Sequence, residues 1–322
     1  MRALIAGSLL LIACGPAVRV DGGAPPGIDA SLDAARPDAQ ADVEGTGEWT
    51  VLVRYARFPE LPTGGSRLVP GMNLDGHVSA SSADPIGCFF EDWVAPDRYV
   101  DVEGIDNQAP DIFTAVHAFN DGRDVNADIL ASIVGGGALH VLRISRIGDP
   151  VDDGEVDVAL FRVDLVDAPV YETVVLDGRS LELLAPGQTF RVQPDSLIEG
   201  RPRTVFPNGS LRGGRLFTEA GTFSLRIPTA EGAVLVLELE GTRVSGRVGD
   251  GSLDDALLAG WVRREDVPAS IGSLNLDPPV DPETLDAIAG ELVDIDSDGD
   301  GTCDAISIGM EIQGVAANLV FP

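Results

Sequence analysis

The chain has no lysine: all 22 of its basic residues are arginine. That absence removes Schiff-base catalysis, the phosphate-binding lysine of a P-loop and a serine–lysine dyad together, and it suggests a high-GC genome. Aromatic residues make up only 5% of the sequence, which does not assure a long sugar-stacking platform; Trp93 and Trp261 are the candidates for any carbohydrate or protein surface. The histidines, His77, His117 and His140, share no metal-ligand spacing. Gly-x-Ser-x-Gly, His-Glu-x-x-His and paired Cys-x-x-Cys motifs do not occur. Positive charge is scarce as well: 52 acidic residues against 22 basic ones leave a net charge of −30. A field of that sign repels phosphate backbones, which excludes nucleic acid as a partner, and attracts divalent cations.

Long apolar runs are missing except at the start, where Met1-Arg2 precedes an apolar stretch from Ala3 to Ala13 interrupted only by Gly7 and Ser8. Charge followed by a short apolar run is the order of a signal peptide, and the run falls short of the roughly 20 residues that span a bilayer. It ends at Leu11-Ile12-Ala13-Cys14-Gly15, which resembles the lipobox of bacterial lipoproteins. The resemblance implies that residues 1–13 are removed, that Cys14 carries the lipid (palmitate among the acyl chains), and that Gly15 in place of Asp favours the outer membrane. Two or three acyl chains anchor a protein stably to the membrane. From Cys14 to Gly47 the chain is mostly Gly, Pro, Ala and Asp, too poor in large apolar residues to fold and stiffened by proline; it reads as a disordered tether.

The remaining body is long enough for one large domain or two smaller ones, and a boundary near residue 170 divides it into β-rich parts 48–170 and 171–322. Period-two or continuous apolar stretches run from Trp49 to Tyr55, Ala138 to Ile144, Val156 to Val163, Tyr171 to Leu176, Thr222 to Ile227, Val234 to Leu239, Ile306 to Ile312 and Val315 to Val320. Turn pairs such as Asn208-Gly209 and Gly213-Gly214 separate such stretches. The expected fold is mainly β, an antiparallel β-sandwich-like ectodomain. Two or three short helices should pack on it: Ile112, Val116 and Phe119 repeat at helical spacing, as do Val125, Ile129 and Ile133, and Asp281-Pro282 starts a third segment.

One stretch places a carboxylate at every second position: Asp294-Ile-Asp296-Ser-Asp298-Gly-Asp300-Gly301-Thr302-Cys303-Asp304. Calcium takes six to eight oxygen ligands, and alternating aspartates with a glycine at the sixth position wrap it. Counting from Asp296 gives the ligands Asp296, Asp298, Asp300, the Thr302 carbonyl and Asp304; counting from Asp294 puts Gly299 at six. The first register is preferred and resembles the loops of thrombospondin type 3 repeats and dockerins. The bidentate Glu expected at position twelve is replaced by Ser307, which points to a weak site, about 10⁻⁴–10⁻³ M. A solvated acidic turn is the competing reading.

With Cys14 lipidated, Cys88 and Cys303 remain, and an oxidising envelope favours their pairing, which would clamp the Asp-rich loop against Gly87-Cys-Phe-Phe-Glu-Asp-Trp93. A thiol nucleophile served by a histidine lacks any local signature. Glu103-Gly-Ile-Asp106-Asn107-Gln108 reads as a turn and helix cap, or as a cluster of side-chain oxygens. These segments, with Asn73-Leu-Asp75-Gly and Asp298-Gly-Asp-Gly-Thr-Cys303-Asp-Ala-Ile-Ser, are similar to a set of uncharacterised lipoproteins of high-GC Gram-negative bacteria. The resemblance supports the disulfide and implies no activity. The functional expectation is an envelope lipoprotein with a calcium-stabilised body serving as a binding or structural module for a protein or carbohydrate ligand. The alternative is a calcium-assisted hydrolase using Glu91, Asp92 or Asp106 as acid and base.

Overall fold

A computed structural model describes residues 47–322 except 65, 100–102, 120–123, 177, 229–233, 250 and 273–280. The expected signal peptide, Cys14 and the expected tether up to residue 46 lie outside the described residues. The described residues belong to one compact unit. In chain order the first elements are β1 (Gly47–Arg57), helices α1 (Ala109–Phe119) and α2 (Val125–Val134), β2 (His140–Ile147) and β3 (Asp153–Leu165). Next come β4 (Tyr171–Leu176), β5 (Arg179–Leu184), β6 (Thr189–Val192), β7 (Leu197–Ile198), β8 (Arg201–Pro202), β9 (Thr204–Arg212) and β10 (Arg215–Phe217). The last are β11 (Gly221–Pro228), β12 (Val234–Gly249), β13 (Ser252–Arg263), α3 (Val267–Gly272), α4 (Pro282–Gly290), β14 (Ala305–Ala316) and β15 (Asn318–Val320).

The body is mainly β and antiparallel, as its patterning indicates, and its principal sheet closes on itself. Strands pair in the order β3-β2-β1-β14-β13-β12-β10-β9, and β9 pairs back onto β3. Closure removes the free edges that an open sheet would present. Long β3 and β12 serve three partners each along their length: β3 pairs β2, β9 and β6, and β12 pairs β13, β10 and β11. Among the described strands, only the short contact of β15 with β6 is parallel. The boundary expected near residue 170 falls between β3 and β4, and the sheet takes strands from both sides of it.

Alternation decides which side chains fill the interior. Val53, Leu142, Leu160, Leu258, Met310 and Ile312 face one another there, joined by Ile129 and Ile133 of α2. Asp124 caps α2, accepting from the Asn126 and Ala127 N–H groups. Asn126 in turn bonds both backbone groups of Phe58, at 2.8 and 3.0 Å, which fixes the helix against the end of β1.

The site depends on a second layer. In β14, Ile306, Ile308, Met310 and Ile312 point inward, while Ser307, Gly309 and Glu311 point outward, yet the outward set is buried too or covered. The long segment between β1 and α1 lies over that outer face, where Met72, Leu74, Tyr99 and Ile105 join Leu257 and Ala259 of β13 in a separate small core. Among the described residues no helix is long and apolar enough to cross a membrane.

Candidate metal centre

The Asp-rich loop springs from a pinched base. Ile295 and Ala305 bridge, with Asp304 N–H donating to the Ile295 carbonyl at 3.0 Å and Ala305 N–H to the same oxygen at 3.1 Å. Between these ends two aspartates are each turned by the amide two residues on: Asp298 accepts from Asp300 N–H at 3.1 Å and Asp300 from Thr302 N–H at 2.7 Å. This is the local turn that aspartate makes in preference to regular structure. Asp296 gathers three amides, Gly299 and Asp300 on Oδ1 and Gly301 on Oδ2. Gly299 and Gly301 have φ of +76° and +88°, conformations that side chains resist.

The result is a cluster in which one carboxylate oxygen each from Asp296, Asp298 and Asp300 lies within 4.8 Å of the others; Asp298 and Asp300 are exposed and Asp296 is half-buried. These three residues could hold a metal ion. The donors are all carboxylate oxygens, which fit a hard divalent cation and not a soft one. Of the other expected ligands, Asp304 is turned across the base of the loop, accepting from Ser297 N–H and hydroxyl at 2.9 Å each, and Thr302 gives its N–H to Asp300. Asp294 is outside the cluster: it is buried and accepts from the Ser307 N–H at 2.7 Å and from the Ser307 hydroxyl.

Cys88 and Cys303 form a disulfide with Cα atoms 5.8 Å apart. It ties the end of the loop to the 79–93 segment, which is held by its own bonds: Ser79 Oγ donates to the Phe90 carbonyl at 2.7 Å, and Asp92 accepts from Ser79 N–H. Asp92 therefore builds a turn, and burial raises its pKa. Glu91 pairs with Arg67. Asp106 is buried, accepting from the N–H groups of Leu74 at 2.7 Å and Asp75 at 3.3 Å; burial first, then the nearby charges of Asp294 and Asp75, push its pKa up to about 9. The three candidate acids are thus engaged in holding the second layer. Trp93 and Trp261 also pack on the small core; the Trp261 ring lies where a side chain on Gly241 would stand, and Arg67 sits 5.9 Å from the Trp93 ring.

Three fasteners escaped the sequence reading. Asn107 is completely buried: its Nδ2 donates to the Pro70 carbonyl at 2.7 Å and its Oδ1 accepts from Gly309 N–H at 2.9 Å and Ala109 N–H at 3.1 Å. The Asp294 bond to Ser307 is the second. The third is Glu311, which receives Arg57 Nε at 2.6 Å, Arg98 at 2.5 Å and the Tyr99 hydroxyl; those donors lower its pKa against the effect of burial. The only available signal was that polar residues alternate with the apolar ones of β14. Compared with protein-family models, curated proteins and solved structures, the chain matches none.

Proposed function

We propose that the chain is a lipid-anchored envelope lipoprotein whose β-barrel body is stabilised by calcium and serves as a binding or structural module at the cell surface. The observation that carries the reading is the convergence of Asp296, Asp298 and Asp300 on one point of a loop clamped by a disulfide. Three carboxylates so close repel one another, and a bound divalent cation would turn that repulsion into attraction while backbone carbonyls or water complete its shell. Calcium is favoured over softer metals because every donor is oxygen. Ser307, where a bidentate Glu would close the ion, is committed to Asp294 within β14, so affinity belongs at the weak extracellular end. The disulfide fits an oxidising compartment, as the lipobox-like N-terminus does. No observation favours the hydrolase alternative, since Glu91, Asp92 and Asp106 each serve structural bonds.

The test is a calorimetric titration of the metal-stripped full chain with calcium, and with magnesium as comparator. Calcium should bind at a dissociation constant of about 10⁻⁴–10⁻³ M, magnesium more weakly, and Asp298→Ala/Asp300→Ala should abolish both. Heat that survives the double substitution unchanged would place the ion elsewhere.

A further inference from the structure

The Asp-rich loop is moored at two places. At its base Ile295 bridges Ala305, and near its far end Cys303, set between Thr302 and Asp304, is bonded to Cys88. Among the described residues the loop from Asp296 to Cys303 and the segment from Ser79 to Trp93 share no hydrogen bond or ion pair, so the disulfide is the bond that joins them. The segment is shaped against preference. Cys88 and Phe89 have φ of +53° and +63°, two consecutive non-glycine residues in a region that such residues occupy only where the surroundings enforce it. Phe89 is 62% exposed, so packing of its ring does not enforce that conformation. What does is the turn itself, with Phe89 N–H donating to the Asp84 carbonyl at 2.9 Å and Phe90 N–H to the Gly87 carbonyl at 2.8 Å, together with the bond to Cys303.

The same bond opposes a repulsion. Asp296, Asp298 and Asp300 converge within 4.8 Å, and like charges so placed push apart. The amides that turn them, those of Gly299, Asp300, Gly301 and Thr302, all belong to the loop; they bend it without mooring it. A carboxylate cluster freed at one end relieves its repulsion by opening. One clamped at both ends stays converged and needs less ordering when a cation arrives. The clamp is also within reach of solvent: Cys88 is 5% exposed and Cys303 half-buried, so a thiol approaches from the Cys303 side.

We propose that the Cys88–Cys303 bond is a redox switch on this loop: its reduction by a dithiol weakens calcium binding, and bound calcium holds the bond oxidised. The proposal rests on the reading of the loop as a calcium site. In the exchange one thiolate of the dithiol attacks Cys303 Sγ and displaces Cys88 as a thiolate, which takes up a proton. The second thiolate of the dithiol then attacks its own partner sulfur in the mixed disulfide and releases Cys303, which is protonated in turn. The protein gains two electrons and two protons, and the dithiol closes into a cyclic disulfide. Because binding and reduction form one thermodynamic cycle, the factor by which reduction weakens calcium binding equals the factor by which calcium shifts the reduction equilibrium toward the disulfide. The barrel closes through β3 and β9 without either cysteine, so the switch acts on the loop and leaves the barrel folded.

The test titrates the full chain with calcium by calorimetry, once oxidised and once reduced with dithiothreitol, with the state of the bond read by mass mapping of the Cys88 and Cys303 peptides. Reduction should raise the dissociation constant about fivefold or more and leave the circular dichroism native. In a dithiothreitol buffer poised at half reduction, saturating calcium should raise the ratio of oxidised to reduced chain by that same factor, and Asp298→Ala/Asp300→Ala should remove the shift. If the oxidised chain binds no calcium, the calcium site itself is wrong and the switch falls with it. If oxidised and reduced chains bind calcium equally, or calcium leaves the poised ratio unchanged, the site stands and the switch alone is overturned. Loss of the native circular dichroism on reduction overturns it too, because the bond would then hold the whole fold and not the loop.

Discussion

Asp106 and Asn107 are adjacent in the chain and both buried, but they respond differently to solvent conditions. Asn107 is neutral and fully satisfied, tying the Pro70 carbonyl and the amides of Gly309 and Ala109 together. Asn107→Ala strands those groups away from water and should cost about 3 kcal/mol, measured as a lower denaturant midpoint with an unchanged slope. Asp106 instead couples stability to pH. Its carboxyl titrates at about 9 when folded against 3.8 ordinarily, so the folded chain keeps a proton that the unfolded chain releases. That contribution is complete below about pH 4 and is lost as the pH rises through about 9. Asp106→Asn should flatten the decline: denaturation midpoints at pH 5, 7 and 9 should fall in wild type and much less in the variant, whereas parallel declines would contradict the assignment. Neither role is visible in the sequence, because Gly-Ile-Asp-Asn-Gln carries the composition of an ordinary turn and cap. What distinguishes it is the partner strand about 200 positions later, which local pattern does not contain.

At the scale of elements, sequence periodicity worked where one strand face is wet or a helix has one apolar side. Tyr171–Leu176 was recognised at its boundaries, and α1, α2 and α4 followed from their spacing and starts. It failed at β13, although β14, buried on both faces as well, was legible from Ile306 to Ile312. β13 reads Ser-Leu-Asp-Asp-Ala-Leu-Leu-Ala-Gly-Trp-Val-Arg with no alternation because it lies between β12 and β14 with the small core on its outer side. The short β10 escaped because three residues carry no period. The metal loop was legible because its turns are local, one aspartate bonding an amide two residues on; its attachment was legible only through the cysteines. Cys88 and Cys303 are separated by 215 positions, and closing so long a loop should stabilise the fold by about 4 kcal/mol. Cys88→Ser/Cys303→Ser should therefore lower the denaturation midpoint, and it should weaken calcium binding as well, because Cys303 is the residue that holds the loop's end in place. Unchanged calcium affinity in the double variant would show that the Asp turns organise the loop unaided.

For the whole molecule, closure of the sheet through β3 and β9 is the feature that patterning did not reach: alternation is the same in a sandwich and in a barrel, and only the pairing of distant strands separates them. The net charge of −30 sets the condition under which this barrel works, since self-repulsion opposes compaction and a bound cation relieves it. On the proposal of a lipid anchor, the full chain produced in a Gram-negative host should fractionate with membranes and incorporate labelled palmitate, and Cys14→Ser should do neither. The central claim is that calcium in the Asp-rich loop stabilises the fold, and thermal unfolding of the full chain in about 10 mM calcium against EDTA tests it most directly. At a dissociation constant of about 10⁻⁴ M the ion adds about 2.7 kcal/mol, a rise of about 5 °C for a body of this size. Wild type should show that rise and Asp298→Ala/Asp300→Ala should not; equal melting temperatures of the wild type in calcium and in EDTA would contradict the account.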